Sequence, residues 1–245
     1  MSIPTPVQIG QPSMWSSLAP YLAPPLAASG AIIPAYYGFV AKSAQQLGKP
    51  IPKMPVLQVV KDSFKAAPTI GIIVGTQMVA QKLVETGLEK ALGNKNKKPS
   101  FSTMLISSMT VGLASAPALA IFNGQTMGRT IKESLSGLTK KQTAAIVLKE
   151  TSFLFSVRIT GPVSEAMKRV FGESEAVKYG SAFVSGAIGS IIGHPADTAL
   201  TRWQKGLKID SFRQSMNGVF TKAIALGIFS TCYEFGKKNL QSTKH

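Results

Sequence analysis

The sequence predicts an all-α membrane protein in which six transmembrane helices form three helix-pair repeats around a central cavity. Three observations carry that expectation. Long stretches hold no charged side chain at all, among them residues 1–41 and the run from Pro99 to Gly128. Six segments have helical spacing, and Lys-rich linkers separate them. Prolines recur near the ends of apolar runs at Pro34, Pro117 and Pro195, 83 and then 78 residues apart, each followed by a basic linker and another helix. A recurring period of that length is the mark of an internal repeat.

Residues 1–17, rich in Pro, Ser and Gly, read as a flexible leader without the basic residues of a secretory signal or a transit peptide. One domain is expected over 18–245, with repeats at about 18–98, 99–172 and 173–245. Leu18 to Val40 is apolar but broken by Pro20, Pro24, Pro25 and Pro34, so the first helix should be irregular. Lys49 to Pro55 is too proline-dense for helix. The second helix, Val56 to Leu92, contains the charge-free run between Lys65 and Lys82, and Gly93 to Pro99 is a basic, solvated loop. Met104 to Phe122 is the clearest span, close to the ~20 residues that cross a bilayer. Ser108, Gly112 and Ala116 stand four apart in it, a spacing that admits a close helix neighbour. Ala144 to Val170 forms a fourth helix with Lys149, Glu150 and Arg158 embedded, as suits charges facing a wet cavity. The fifth contains Ser185 to Gln204 and should kink at Pro195; the sixth runs from Val219 to Leu240.

Composition restricts function more than fold. The 27 Lys and Arg against 11 Asp and Glu give a formal charge of +16, which suits nucleic acid, an anionic membrane surface or an anionic solute. Aromatic residues are not interleaved with the basic ones, so nucleic acid is not an expected partner. Mean hydropathy of +0.16 is low for a bundle apolar on every side and fits helices around a polar interior. One cysteine, Cys232, and two histidines, His194 and His245, provide no disulfide framework, metal site or catalytic constellation. No enzyme, cofactor or metal is expected.

The fifth helix holds the most specific wording. Asp197 and Arg202 are the first charges after Lys178, and both follow Pro195 directly. A soluble helix ending at a proline, with Asp197 capping the next, reads the same segment differently. Pro195, Asp197, Arg202 and Gln204 resemble the proline, acid, base and glutamine signature that closes the odd-numbered helices of the mitochondrial carrier family. Tyr233, Glu234 and Lys237 resemble that family's aromatic, acid and base motif on the even helices, and Glu165 with Lys168 resemble it on the fourth. On the second helix only Gln77 stands near the acid position.

That resemblance covers most of the chain after about Leu18. It implies alternating-access transport of a small anionic metabolite (nucleotide, phosphate or carboxylate) by a monomer among membrane lipids, in the mitochondrial inner membrane or else another organelle membrane or the outer mitochondrial one. It also implies substrate contacts halfway along the even helices, where Lys65, Arg158 and Lys222 offer one base per repeat; the same bases could instead snorkel. By the same analogy Lys168 pairs with Glu234 and Asp197 turns to Arg202. The sequence departs from the signature where it lacks a base five residues after each proline, Phe39, Phe122 and Leu200 standing there, and where short linkers leave little room for surface helices. A degenerate, non-transporting membrane protein acting as scaffold, receptor or insertion factor is the alternative.

Overall fold

The computed structural model describes residues 14–91, 101–158 and 160–242, which are helical with no strand among them. Ten helices follow in order among these residues: α1 (Met14–Gln46), α2 (Val56–Ala91), α3 (Phe101–Gln125), α4 (Ile131–Ser136), α5 (Lys140–Arg158), α6 (Thr160–Phe171), α7 (Glu175–Ile192), α8 (His194–Gln204), α9 (Phe212–Ser215) and α10 (Val219–Ser242). The long ones pack in a closed cycle, α1 on α2, α2 on α3, α3 on α5, α5 on α7, α7 on α10 and α10 back on α1. Two segments, Leu18–Gln46 and Leu105–Gln125, are long and apolar enough to cross a membrane.

Beside its apolar core, the bundle buries an unusual set of polar and charged side chains. Lys42, Gln46, Gln77, Asn123, Thr126, Glu150, Asp197 and Lys222 are buried, whereas Leu26, Ile72, Val79, Leu113, Leu148, Ile192, Phe220 and Ile224 lie on the outside. Exposed single apolar residues are ordinary, but buried charge is not. Polar groups inside and apolar ones outside fit the weak segregation of apolar and polar faces in α1, α2, α3, α5 and α10.

Proline shapes the helices less abruptly than the sequence suggests. α1 runs unbroken through Pro20, Pro24, Pro25 and Pro34 and starts at Met14, inside the expected leader, whose first 13 residues lie outside the described ones. The Ser29 hydroxyl donates to the Ala67 carbonyl at 3.0 Å, and α2 comes so close at Gly71 that a Cβ there would stand 3.2 Å from the Pro25 carbonyl oxygen. The break in the fifth rod falls at Gly193, not at Pro195, which occupies the first turn of α8. There its missing N–H costs nothing, because the opening N–H groups of a helix have no partner within it. The fourth rod is two helices, α5 and α6, with residue 159 between them outside the described residues, as are Leu92 and the loop from Gly93 to Pro99.

The linkers are also better used than expected. Short helices stand in two of them: α4, opened by a reciprocal capping box between Thr130 and Glu133, and the single turn α9, capped by Ser211. The Thr130 backbone N–H donates to the Glu133 carboxylate at 2.8 Å, which holds that carboxyl below its ordinary range. Where the first linker has no helix, the Tyr37 hydroxyl donates to the Pro52 carbonyl and ties it to α1.

Three helix ends share one structure. Gly48, Gly128 and Gly206 have φ of 69°, 73° and 70° and terminate α1, α3 and α8. In each case the residue after the glycine donates its N–H back to a carbonyl inside the helix, Lys49 to Ala44, Arg129 to Gly124 and Leu207 to Arg202, all at 2.9 Å. This is the left-handed glycine stop. It fixes where each helix ends, and with it which residues share a level inside the bundle.

Elsewhere α7 and α10 meet at Gly186, where a Cβ would lie 2.9 Å from the Leu226 carbonyl oxygen. Gly186→Ala should therefore destabilise the purified protein by about 1–3 kcal/mol through forced separation of the two helices. Gly30→Ala, with nothing within 4 Å of the new methyl, should instead stabilise it by about 0.5–1 kcal/mol; thermal unfolding of both variants checks the contrast.

Candidate functional site: a carboxylate among three lysines

Measured from the stop glycines, equivalent positions of α1, α3 and α8 become visible. Five residues before the glycine stand Ser43, Asn123 and Thr201, and two before it stand Gln46, Thr126 and Gln204. They close a ring of hydrogen bonds. Ser43 and Thr126 share one at 2.9 Å, Asn123 Nδ2 donates to Gln204 Oε1 at 2.7 Å, and the Thr201 hydroxyl donates to Gln46 Oε1 at 2.7 Å. Each link joins the earlier position of one helix to the later position of the next, and the third returns to the first. All six side chains are buried, so each bond is made where an unmade one would cost about 1–3 kcal/mol.

One turn deeper the three helices meet through different chemistry. The positions nine residues before the glycine are Phe39, Leu119 and Asp197, and those six before it are Lys42, Phe122 and Leu200. Asp197 Oδ2 takes an ion pair from Lys42 Nζ at 2.9 Å. Phe39 meets Phe122 edge to face, ring centroids 5.7 Å apart, and Leu119 and Leu200 both lie in the apolar core. The sequence-based register therefore needs correction. Pro117 and Pro195 stand eleven residues before their glycines, but Pro34 stands fourteen before Gly48. The base that seemed missing from the first repeat is Lys42, displaced in the count because proline marks a bend and glycine the helix end.

Asp197 collects more than that one lysine. Lys149 Nζ lies 3.2 Å from its Oδ1 and Lys222 Nζ 3.4 Å from its Oδ2, and Gln46 Nε2 donates to Oδ2 at 3.0 Å. Backbone placement makes this convergence possible. At Gly193 a Cβ would be 3.1 Å from the Lys149 carbonyl oxygen, so only glycine lets the α7–α8 joint lie on α5. Gly218, at φ 84° beside the Lys42 carbonyl, turns the chain into α10 and brings Lys222 round. Arg202 does not pair with Asp197 as anticipated; its guanidinium donates to the Lys208 and Gln46 carbonyls at 2.8 and 3.1 Å. His194 is wholly buried, with Nε2 2.9 Å from the Asn217 carbonyl.

The carboxylate forms the floor of a cavity of about 90 Å³ lined by Lys42, Lys149, Glu150, Lys222 and Gln77 among apolar neighbours. Glu150 accepts from Gln77 Nε2 at 3.0 Å and has Lys149 at 4.0 Å. A second cavity, of about 330 Å³, continues from it past Val74, Gln77, Phe153 and Phe229 to Tyr233, Glu234 and Lys237. That volume is at the small end of ligand pockets, which run from about 300 to 1,000 Å³.

Of the three bases expected to hold substrate, only Lys222 is placed in this cavity. Lys65 is largely exposed and pairs with Asp62 at 3.4 Å; α2 presents Gln77 to the interior in its stead. Arg158 ends α5, and its side chain lies outside the described residues. The expected pair between Lys168 and Glu234 does not form. Lys168 lies 3.0 Å from Glu173 and 3.6 Å from Glu165, and Glu234 pairs with Lys237 at 2.8 Å. Tyr233 stacks on Phe229, and Lys237 lies over its ring. Cys232 packs half-buried against the core, as its apolar context suggests. Comparison with known proteins finds no family model and no curated protein that matches this sequence.

Removing the shared carboxylate leaves three lysines facing one another without a counter-charge. Asp197→Asn should cost about 3–5 kcal/mol, the usual penalty for breaking a buried ion pair from one side. Leu200→Met, at the same depth and of similar volume, should cost less than about 1.5 kcal/mol. Denaturation midpoints of the two variants measure the difference.

Proposed function

We propose that the protein is a carrier-type membrane transporter that moves a small anionic metabolite by alternating access through the cavity between its six helical rods. The observation that carries this reading is the convergence of Lys42, Lys149 and Lys222 on Asp197 in a cavity that shares four lining residues with a second one reaching Glu234 and Lys237. Charge inside a membrane protein is costly and marks a solute path. Exposed large apolar residues on α1, α2, α3, α7 and α10 support a multi-pass arrangement, with the two most apolar rods as its clearest spans.

In this reading the polar ring and the Asp197–Lys42 pair close one end of the path. Glu234, Lys237, Glu165 and Lys168 belong to the opposite end, open in this state, where each pairs within its own surroundings. Closing that end and opening the other would exchange partners without leaving charges bare. The resemblance to mitochondrial carriers supports a place in the mitochondrial inner membrane. Apolar residues at four of the six deep positions favour the second reading, a carrier-like scaffold that no longer transports; the three lysines retained at the cavity favour transport.

Uptake by liposomes reconstituted with the purified protein tests the proposal. Lys222→Gln should lower anion uptake at least about tenfold, as expected for loss of a charged hydrogen bond, whereas Lys65→Gln should leave it unchanged within about twofold. Equal activity in both variants at matched incorporation would put the path elsewhere.

A further inference from the structure

The cavity's charge and its walls together define what it accepts. Three lysines and two carboxylates face it among the described residues: Lys42, Lys149 and Lys222 against Asp197 and Glu150. One positive charge is in excess. The neighbouring charges do not alter this balance, because Glu234 and Lys237 neutralise each other at the mouth and Arg202 is held by backbone carbonyls on the far side of Asp197. Of the other polar side chains on its wall, Gln77 is engaged by Glu150, Asn123 and Thr126 by the hydrogen-bond ring and Ser190 by the Ala187 carbonyl; the rest is apolar, Ile70, Ile73, Phe153, Leu226 and Phe229 among it, and offers no hydrogen bond to a second polar group.

We propose, resting on the transport reading above, that the substrate is a monoanion with an apolar body, a carboxylic acid bearing a branched aliphatic or aromatic group. Its carboxylate sits against Lys149 and Lys222 and brings the buried charges to neutrality. Its body lies on the Phe153 and Phe229 side, where apolar contact replaces water. A second negative charge would have no free lysine to meet and would stand beside Glu150. Inside a low-dielectric cavity that repulsion is far stronger than in water. Glu150 is thus a specificity-determining residue: it subtracts one from the lysine charge and sets the valence of the anion.

The test compares two solutes of the same apolar body, 3-methylbutanoate with one carboxylate and isopropylmalonate with two, each read above protein-free liposomes. Proteoliposomes are loaded at neutral pH, and citrate, phosphate and ATP serve as further competitors. The wild-type protein should take up the monoanion at least about tenfold faster than the dianion. Glu150→Gln, which raises the excess to two charges, should reverse or abolish that preference, and Lys149→Gln, which removes the excess, should lower uptake of both. Thermal shift of the detergent-solubilised protein by the same solutes reads binding separately and shows which variants are folded.

Wild-type preference for isopropylmalonate, phosphate or ATP would overturn the valence assignment while leaving transport intact. Binding of the monoanion without uptake would overturn transport and keep the assignment. A folded Glu150→Gln protein that retains the wild-type preference would show that Glu150 does not set the valence.

Discussion

One carboxylate organises the interior. Asp197 on α8 is bonded by lysines from α1, α5 and α10, so four rods depend on a single side chain for electrostatic closure. The two others join one step removed. α2 enters through Gln77 on Glu150, and α3 through Asn123 and Thr126 in the hydrogen-bond ring. In the proposed membrane setting, association of the rods gains nothing from hiding apolar outer faces. Close packing at glycine and polar contacts inside must then decide which rods are neighbours. Gly193 and Gly218 serve that end directly, since each allows the approach that brings a lysine to Asp197.

The three deep pairs differ in what separating them would require. Phe39 against Phe122 and the core packing of Leu119 and Leu200 are apolar, replaceable by other apolar neighbours at modest cost. The Asp197–Lys42 pair is not, because parting it would bury two charges alone. Lys149 and Lys222 change that situation. They belong to other rods, and a carboxylate that loses Lys42 still keeps two bases. In the proposed cycle the acid can remain neutralised by α5 and α10 while α1 moves away, and Lys42 is then the charge that needs water or an anion. A network with one ionic link and spare lysines is therefore a workable closure, and it differs from a ring of three equivalent ion pairs in placing the whole electrostatic cost on one interface.

Much of the fold is legible from residues. Six helical segments, the basic linkers and the special character of the Pro195 to Gln204 stretch all follow from local wording, and each of those segments is helical in the structure. Register is not legible from proline. Pro117 and Pro195 share a level because both lie eleven residues before a left-handed glycine, whereas Pro34 sits three residues too early, so a count from proline leaves Lys42 out of the site. Gly48, Gly128 and Gly206 are the available signal, each closing a helix ahead of a basic linker. Rotation about the helix axis is harder still. Lys65 and Gln77 lie on the same helix, and only the neighbours decide which one turns inward; a helix apolar outside and small or polar inside shows no strong stripe to read. Lys149 and Glu150 stand out in the sequence as embedded charges but not as two members of one site, because adjacency on a helix ordinarily sends two side chains about 100° apart. Here the long lysine stem spans that angle and both heads reach the same space.

The overall charge of +16 points toward an anion for a reason that does not hold in detail. Exposed bases such as Lys53, Lys61, Lys132, Lys140, Lys205 and Arg213 lie on linkers and helix ends, where they are suited to anionic headgroups and are screened by salt beyond about 10 Å at 0.1 M. They say little about a solute inside the bundle. The relevant quantity is the imbalance among buried side chains, which water and ions screen poorly. Among the described residues five ionisable groups face the cavity, and they sum to one positive charge. A single substitution at Glu150 changes that sum by as much as the substrate itself does, while a substitution at a surface lysine leaves it untouched. In the proposed transporter, selectivity is thus a property of a few buried residues whose charges nearly cancel, and the external charge is left to meet anionic lipid.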